Sequence, residues 1–322
     1  MKRILVTGGA GFIGSHLCER LLADGNHVIV IDNLFTGRRA NLPNHPELDF
    51  VYGDVCQPIW AVFDEAYHLA CPASPVHYQR NPVETIRTGV IGTLQVLEAA
   101  HRNRARVLLA STSEVYGDPQ IHPQPEDYTG NVNTISPRAC YDESKRCGEA
   151  LATSYTMQYG LDVRIARIFN TFGCRMANND GRVIPAFITA ALRSEPLPIQ
   201  GTGEQTRSFC YVDDTVEALV RMMSMATLYE TALWNRVPYP LNIGNDHEIT
   251  INELATMILR MTGHRSNINY LPAAVDDPRK RRPDLRRTKE VLNGWAPRWS
   301  IEDGITRTIA YFQRLIVREP SL

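Results

Sequence analysis

The chain has 322 residues, with 34 Lys plus Arg against 35 Asp plus Glu and a formal net charge of −1. This length points to two lobes sharing a core, and the balanced charge argues against a broad nucleic-acid surface. The cysteines (Cys18, Cys56, Cys71, Cys140, Cys147, Cys174, Cys210) are odd in number and form no CxxC pair, and no apolar run reaches 18 residues, so a reduced, cytoplasmic chain with no metal site and no membrane span is expected.

Residues 3–7 (RILVT) form a short apolar run, as expected of a strand covered on both faces, and follow Met1 too closely to leave room for a signal peptide. The turn from Gly8 to Gly14 comes next, then a helical stretch to about residue 26, a second apolar run over 27–31, and Asp32. Strand, glycine turn, helix, strand and acid in this order predict a Rossmann-type dinucleotide site. Gly8 turns the chain, Gly11 admits a pyrophosphate, Gly14 lets helix and sheet pack closely, and the helix start at Phe12 and Ile13 offers free N–H groups. Asp32 would accept hydrogen bonds from the adenosine ribose, which favours NAD over NADP although Arg38 and Arg39 follow closely. Asn33, Thr36 and Gly37 are assigned to the same cofactor.

Further apolar runs at 50–52, 66–70, 106–110 and 163–168 alternate with helical patterns, notably 82–103 and 139–159. The fold class is therefore α/β, with a doubly wound parallel sheet and a smaller, interleaved α/β lobe that binds substrate. Asp54 and Val55 follow a strand and would meet the adenine edge, with a plain turn as the competing explanation. Leu69, Ala70 and Ala73 would skirt the pyrophosphate and nicotinamide ribose. After Ile168 prolines break the alternation. Residues 1–169 are assigned to the NAD-binding domain, with 208–234 returning to it. Residues 170–207 and 235–322 are assigned mainly to the substrate lobe.

Tyr141 and Lys145 are four apart and so share a helix face. An ammonium beside a phenol favours the phenolate, which can take a proton from a sugar hydroxyl, while Thr112 hydrogen-bonds the same oxygen. Arg207, Arg281 and Arg282 are candidates for a diphosphate and a carboxylate, because guanidinium forks match such oxygens. The run 279–282 reads alternatively as a nucleic-acid patch, but no second basic cluster supports that.

With these residues in view, the chain resembles an extended short-chain dehydrogenase/reductase of the NAD-dependent epimerase/dehydratase family over residues 1 to about 312. Within it, the chain is most similar to the UDP-glucuronate decarboxylases (UDP-xylose synthases). The matching stretches are 69–75 (LACPASP), 111–119 (STSEVYGDP), 140–146 (CYDESKR), 167–173 (RIFNTFG), 180–183 (DGRV), 205–211 (QTRSFCY) and 276–284 (DDPRKRRPD). The resemblance gives Ser113-Glu114 its meaning. Dehydratases carry Asp-Glu there and simple 4-epimerases small or hydroxyl residues, whereas Ser-Glu is similar to the decarboxylase pattern. It implies oxidation at C4 of UDP-glucuronate, loss of CO2 from the β-keto acid and re-reduction to UDP-xylose, with NAD retained throughout. Glu114 would steer water, protonate C5 or oppose the substrate carboxylate, and Ser113 would hydrogen-bond that carboxylate. Pro75, Tyr78, Asn170, Arg182, Val183 and Gln200 would contact the nucleotide sugar, and one of Arg281 and Arg282 would enter the pocket.

Four positions depart from the family pattern: Ser144 stands where Gly is common, Gly89 where Asn is usual, Gln200 for an aromatic and Cys174 for a Pro. The Gln200 change leaves the nucleobase open. By resemblance, helices 82–103 and 139–159 pair with their mates in a homodimer. The alternatives are a decarboxylase that releases the 4-keto pentose, a 4-epimerase or 4,6-dehydratase of another nucleotide sugar, and a non-enzymatic NAD-binding regulator. The intact Thr112, Tyr141 and Lys145 speak against the last.

Overall fold

The computed structural model describes residues 1–225, 229–230, 237–264, 266–273 and 280–318. The lobe boundary at Asn235, the segment 276–278 and Arg279 lie outside these described residues. Seven parallel strands form the central sheet: β1 (Arg3–Thr7), β2 (His27–Asp32), β3 (Leu48–Tyr52), β4 (Glu65–His68), β5 (Arg106–Thr112), β6 (Val163–Ile168) and β7 (Pro240–Ile243). Their spatial order is β3-β2-β1-β4-β5-β6-β7, with the order reversing between β1 and β4. The helices are α1 (Phe12–Ala23), α2 (Pro75–Arg80), α3 (Pro82–Arg87), α4 (Thr93–Asn103), α5 (Ala139–Tyr159), α6 (Val183–Leu192), α7 (Val212–Ser224), α8 (Ile251–Thr262), α9 (Arg286–Val291) and α10 (Ile301–Arg318).

Successive strand residues point to opposite faces. Ile4, Val6, Val28, Val30 and Leu108 pack with Leu17 and Leu21 of α1 and Leu219 and Met222 of α7. Leu5, Ile29, Val107 and Leu109 pack on the other face with Val96 and Leu97 of α4 and Ala152 of α5. The inner strands are covered on both faces, which is why β1, β2 and β5 read as unbroken apolar runs rather than alternating ones, whereas edge strand β3 leaves Val51 and Tyr52 exposed. Each such buried side chain contributes about 1.5–3 kcal/mol.

The smaller lobe is built from short pieces. Thr206–Ser208 lies between Glu248–Thr250 and Lys280–Arg281, and Leu197–Gln200 pairs in parallel with Ile268–Leu271. Thr250 and Glu253 form a reciprocal capping box at the start of α8, and Gly263 closes that helix at φ 70°. The boundary differs from the sequence expectation at β7. Residues 240–243, assigned with the substrate lobe, pair with β6 and complete the main sheet. Asn242 on this strand is fully buried and joins the lobes: it accepts from Tyr116 Oη at 2.7 Å, and its amide donates to the Gln124 and Asp284 carbonyls at 2.9 and 3.1 Å. Gln124 in turn exchanges bonds with the Arg282 backbone, which fixes where the neighbouring Arg281 stands.

Candidate active site

A cleft of about 930 Å3 runs across the C-terminal ends of the strands between the lobes, where open α/β sheets bind ligands. Its floor begins at the glycine turn. A Cβ on Gly14 would lie 2.2 Å from the Gly8 carbonyl oxygen, and one on Gly8 (φ 73°) 2.7 Å from Ala70 N, so only bare backbone fits here. Gly11 starts α1 without a side-chain cap, leaving N–H groups available to a phosphate. Asp32 is buried, and burial raises its pKa although its carboxylate accepts from Leu34 N at 2.8 Å and Ala10 N at 3.0 Å. Phe12, Ile13, Asn33, Thr36, Asp54, Val55, Leu69, Ala70 and Ala73 line the cleft. Asp54 also has the turn role weighed above, accepting from Cys56 N at 2.9 Å. Gly37 stands apart from the cleft lining: a Cβ there would come 2.9 Å from the Ala10 carbonyl carbon, so its bare backbone packs behind the glycine turn. The cradle fits a dinucleotide such as NAD.

Beyond the cradle, Thr112, Ser113, Glu114, Tyr141 and Lys145 converge. Thr112 ends β5 and caps the 3-10 turn Ser113–Tyr116, its hydroxyl accepting from Glu114 N at 3.2 Å. Tyr141 stacks on Tyr78 with ring centroids 5.2 Å apart and planes 3° from parallel. Lys145 Nζ lies 5.8 Å from the Tyr141 ring centroid and donates to the Ala110 carbonyl at 2.8 Å. The expected lowering of the phenol pKa by this ammonium is not what the structure gives. Burial raises the Tyr141 pKa well above its ordinary value, the Cys71 thiol adds to this, and the hydrogen bond with Thr112 only partly opposes it.

Glu114 is buried in an ion-pair cluster. Its carboxylate receives Arg138 Nη2 at 2.5 Å and both terminal nitrogens of Arg281, the closer at 2.7 Å. Burial opposes its ionisation, but the charges of Arg281 and Arg138, the hydrogen bond from Arg138 and the charge of Arg207 hold its pKa below the ordinary value. Arg138 was not singled out in the sequence. It stands three residues before Tyr141 at the start of α5, where a cation opposes the helix dipole; that misplaced charge, one turn from the Tyr–Lys pair, was the available signal. Asp142, also missed, is pushed up to about 7 by burial and by Glu114, and its Oδ1 is buried without a hydrogen-bond partner.

Pro75, Tyr78, Asn170, Arg182, Val183, Gln200, Arg207 and Arg281 all line the cleft. Asn170 donates to the Ser208 carbonyl at 3.2 Å, and Arg182 is held by Asp180 at 2.5 Å. Arg282 departs from expectation. It lies outside this lining, beside a smaller pocket near His122, and pairs with Glu248 at 3.3 Å. Arg281 ends a strand that pairs with Thr206–Arg207, and successive strand residues face opposite ways, so only one of the two reaches the cleft.

Comparison with known proteins agrees with this geometry. The model of the NAD dependent epimerase/dehydratase family matches residues 4–233. The chain is 51% identical over 316 residues to UDP-glucuronic acid decarboxylase 1 of Danio rerio, covering 97% of this chain and 73% of that one. Among solved structures it is similar to DesIV, a dTDP-glucose 4,6-dehydratase from Streptomyces venezuelae with NAD bound, at TM-score 0.88 and 30% identity over 99% of both chains. It is also similar to MoeE5 in complex with UDP-glucuronic acid and NAD, at TM-score 0.83 and 31% identity over 97% of this chain and 99% of that one. The family model spans well over half of the sequence and agrees with the cradle and the Tyr–Lys pair: the chain belongs to the NAD dependent epimerase/dehydratase family.

Proposed function

We infer that the protein is an NAD-dependent UDP-glucuronate decarboxylase that makes UDP-xylose. The observation that carries this reading is Arg281, whose two terminal nitrogens grip the Glu114 carboxylate inside the cleft that Tyr141 also lines. A guanidinium so placed can receive the carboxylate of a uronic acid. The relatives named as UDP-glucuronic acid decarboxylases, 49–51% identical over nearly the whole chain, support it, as does the likeness to a protein solved with UDP-glucuronic acid and NAD.

When bound, NAD would supply the hydride acceptor for C4, and the positive charge of its nicotinamide would favour the ionised form of Tyr141. The Tyr141 phenolate takes the C4 hydroxyl proton, Thr112 holds the same oxygen, and Lys145 supplies positive charge beside the phenol. The C4 ketone makes the sugar a β-keto acid, so the electrons of the breaking C5–carboxylate bond pass into an enolate as CO2 leaves. Ser113 and Arg281 orient the carboxylate. Glu114, ionised, opposes its charge and positions a water that delivers the proton to C5. Tyr141 returns its proton to the C4 oxygen on re-reduction. The glycine turn, Asp32, Asn33, Thr36, Asp54, Val55, Leu69, Ala70 and Ala73 hold the cofactor. Pro75, Tyr78, Asn170, Arg182, Val183, Gln200 and Arg207 hold the nucleotide sugar.

The enzyme works in the cytoplasm as a homodimer packed through residues 82–103 and α5. Val83, Ile86 and Met157, all exposed apolar side chains on these helices, support that face. Among the described residues no helix is long and apolar enough to cross a membrane.

The test is incubation of the purified protein with UDP-glucuronate and product identification by NMR. UDP-xylose and CO2 are expected. Accumulated NADH with a 4-keto pentose would assign the releasing reaction instead, and absence of both CO2 and any pentose nucleotide refutes the reading.

A further inference from the structure

Two of the departures from the family pattern, Gly89 and Ser144, are 55 positions apart in sequence and in contact in the fold. Between α3 and α4 the chain is wound into a wider π turn over Thr88–Gly92, and buried Gly89 there faces α5. A Cβ on Gly89 would lie 2.4 Å from Ser144 Oγ and 2.6 Å from Ser144 Cβ. Ser144 has no room to swing aside: it is 2% exposed, and its hydroxyl donates to the Tyr141 carbonyl at 2.8 Å.

The other partner is equally fixed. The Gly89 carbonyl accepts from Thr93 Oγ1 at 2.6 Å, Thr93 Oγ1 meets His68 Nε2 at 3.1 Å, and His68 Nδ1 meets Thr7 Oγ1 at 2.7 Å. This buried chain ties the π turn to β4 and β1. One turn along α5, the position of a Gly148 Cβ is 3.5 Å from Thr93 Oγ1, so the same helix face stays in contact. Tyr141 and Lys145 ride on α5 three residues before and one residue after Ser144.

We propose that Gly89 and Ser144 are an interlocking pair of positioning residues that sets the seat of α5, and with it Tyr141 and Lys145, so that a side chain at position 89 is accommodated only when position 144 gives up its own. Restoring ordinary contact at Gly89 requires α5 to retreat from 2.4 to about 3.4 Å, a shift on the order of 1 Å. A displacement of that size can lower turnover roughly 100-fold. The hydroxymethyl of Ser144 fills the space that the missing side chain at 89 leaves.

The proposal rests on Tyr141 and Lys145 being the proton-handling pair of the proposed decarboxylase. It is tested with G89A, S144G, the double variant G89A/S144G and the control G89A/S144A. The readouts are melting temperature, NAD retained through gel filtration, and turnover of UDP-glucuronate. G89A is expected to lose NAD on purification and about 100-fold in turnover, and S144G to melt a few degrees lower with turnover nearly intact. The double variant regains NAD and most of the turnover, whereas G89A/S144A, which keeps the Cβ at position 144, stays impaired. Additive losses in the double variant overturn the pairing. Coupling seen in melting temperature but not in NAD retention or turnover overturns the positioning role. A wild-type protein inactive on UDP-glucuronate counts against the proposed function alone, because melting temperature and NAD retention still decide the pairing.

Discussion

Replacing Glu114 with Gln probes the cleft most directly. The side chains of Glu114, Arg138 and Arg281 are 9–11% exposed, so the carboxylate that the two guanidinium groups share is nearly out of solvent. Breaking a buried ion pair by removing one partner costs about 3–5 kcal/mol. For 322 residues, an unfolding entropy of about 2.1 cal/mol/K per residue turns this into a melting temperature lower by about 4–7 °C. The sign of the pH dependence follows from the folded pKa lying below the unfolded one. The stabilisation is fully present above the ordinary carboxylate range and is lost as pH falls through it toward the folded value. The gap between wild type and E114Q should therefore be widest at neutral pH and close on acidification. UDP-glucuronate should raise the melting temperature of E114Q more than that of wild type by bringing its own carboxylate to Arg281, whereas UDP-glucose, which has a hydroxymethyl there, should raise both alike. Turnover should fall by about 10²–10⁴ with NAD still bound. Calorimetry across pH with and without each nucleotide, together with NMR turnover, makes the measurement. Near-normal turnover would refute the role given to Glu114, and an unchanged melting temperature would refute the energetics.

Three further outcomes are expected. R281M should weaken UDP-glucuronate binding by about 2–5 kcal/mol, leaving a carboxylate unpaired, while R282A should change it by less than about 1 kcal/mol because its Glu248 partner is partly exposed; titration calorimetry of both separates them. Asp142 has a folded pKa of about 7, raised by burial and by Glu114, so the wild-type protein should lose stability as pH rises from the ordinary carboxylate range to about 7. D142N should lack this loss, and denaturant midpoints across pH will check it. Gly14→Ala should abolish NAD retention, since its Cβ would meet the Gly8 carbonyl oxygen at 2.2 Å; a variant purified with NAD bound would contradict the cradle geometry.

The sequence by itself carried whatever depends on neighbours along the chain. The unbroken apolar runs 3–7 and 27–31 announced strands covered on both faces, the spacing of Gly8, Gly11 and Gly14 announced the tight turn, and four-residue spacing put Tyr141 and Lys145 on one helix face. What it did not carry depends on segments that meet only in the folded chain. Glu114 and Arg138 are 24 positions apart and Glu114 and Arg281 are 167 apart, so nothing local reveals that they share one carboxylate. The choice between Arg281 and Arg282 waited on strand pairing with Thr206–Arg207, because alternation sends adjacent side chains to opposite sides. The edge strand β7 was hidden in a proline-broken stretch and took its place only through pairing with β6. Tyr141 shows the same limit in energetic form. Its spacing from Lys145 promised a lowered pKa, but desolvation depends on everything packed around the phenol, and that is set by the tertiary structure.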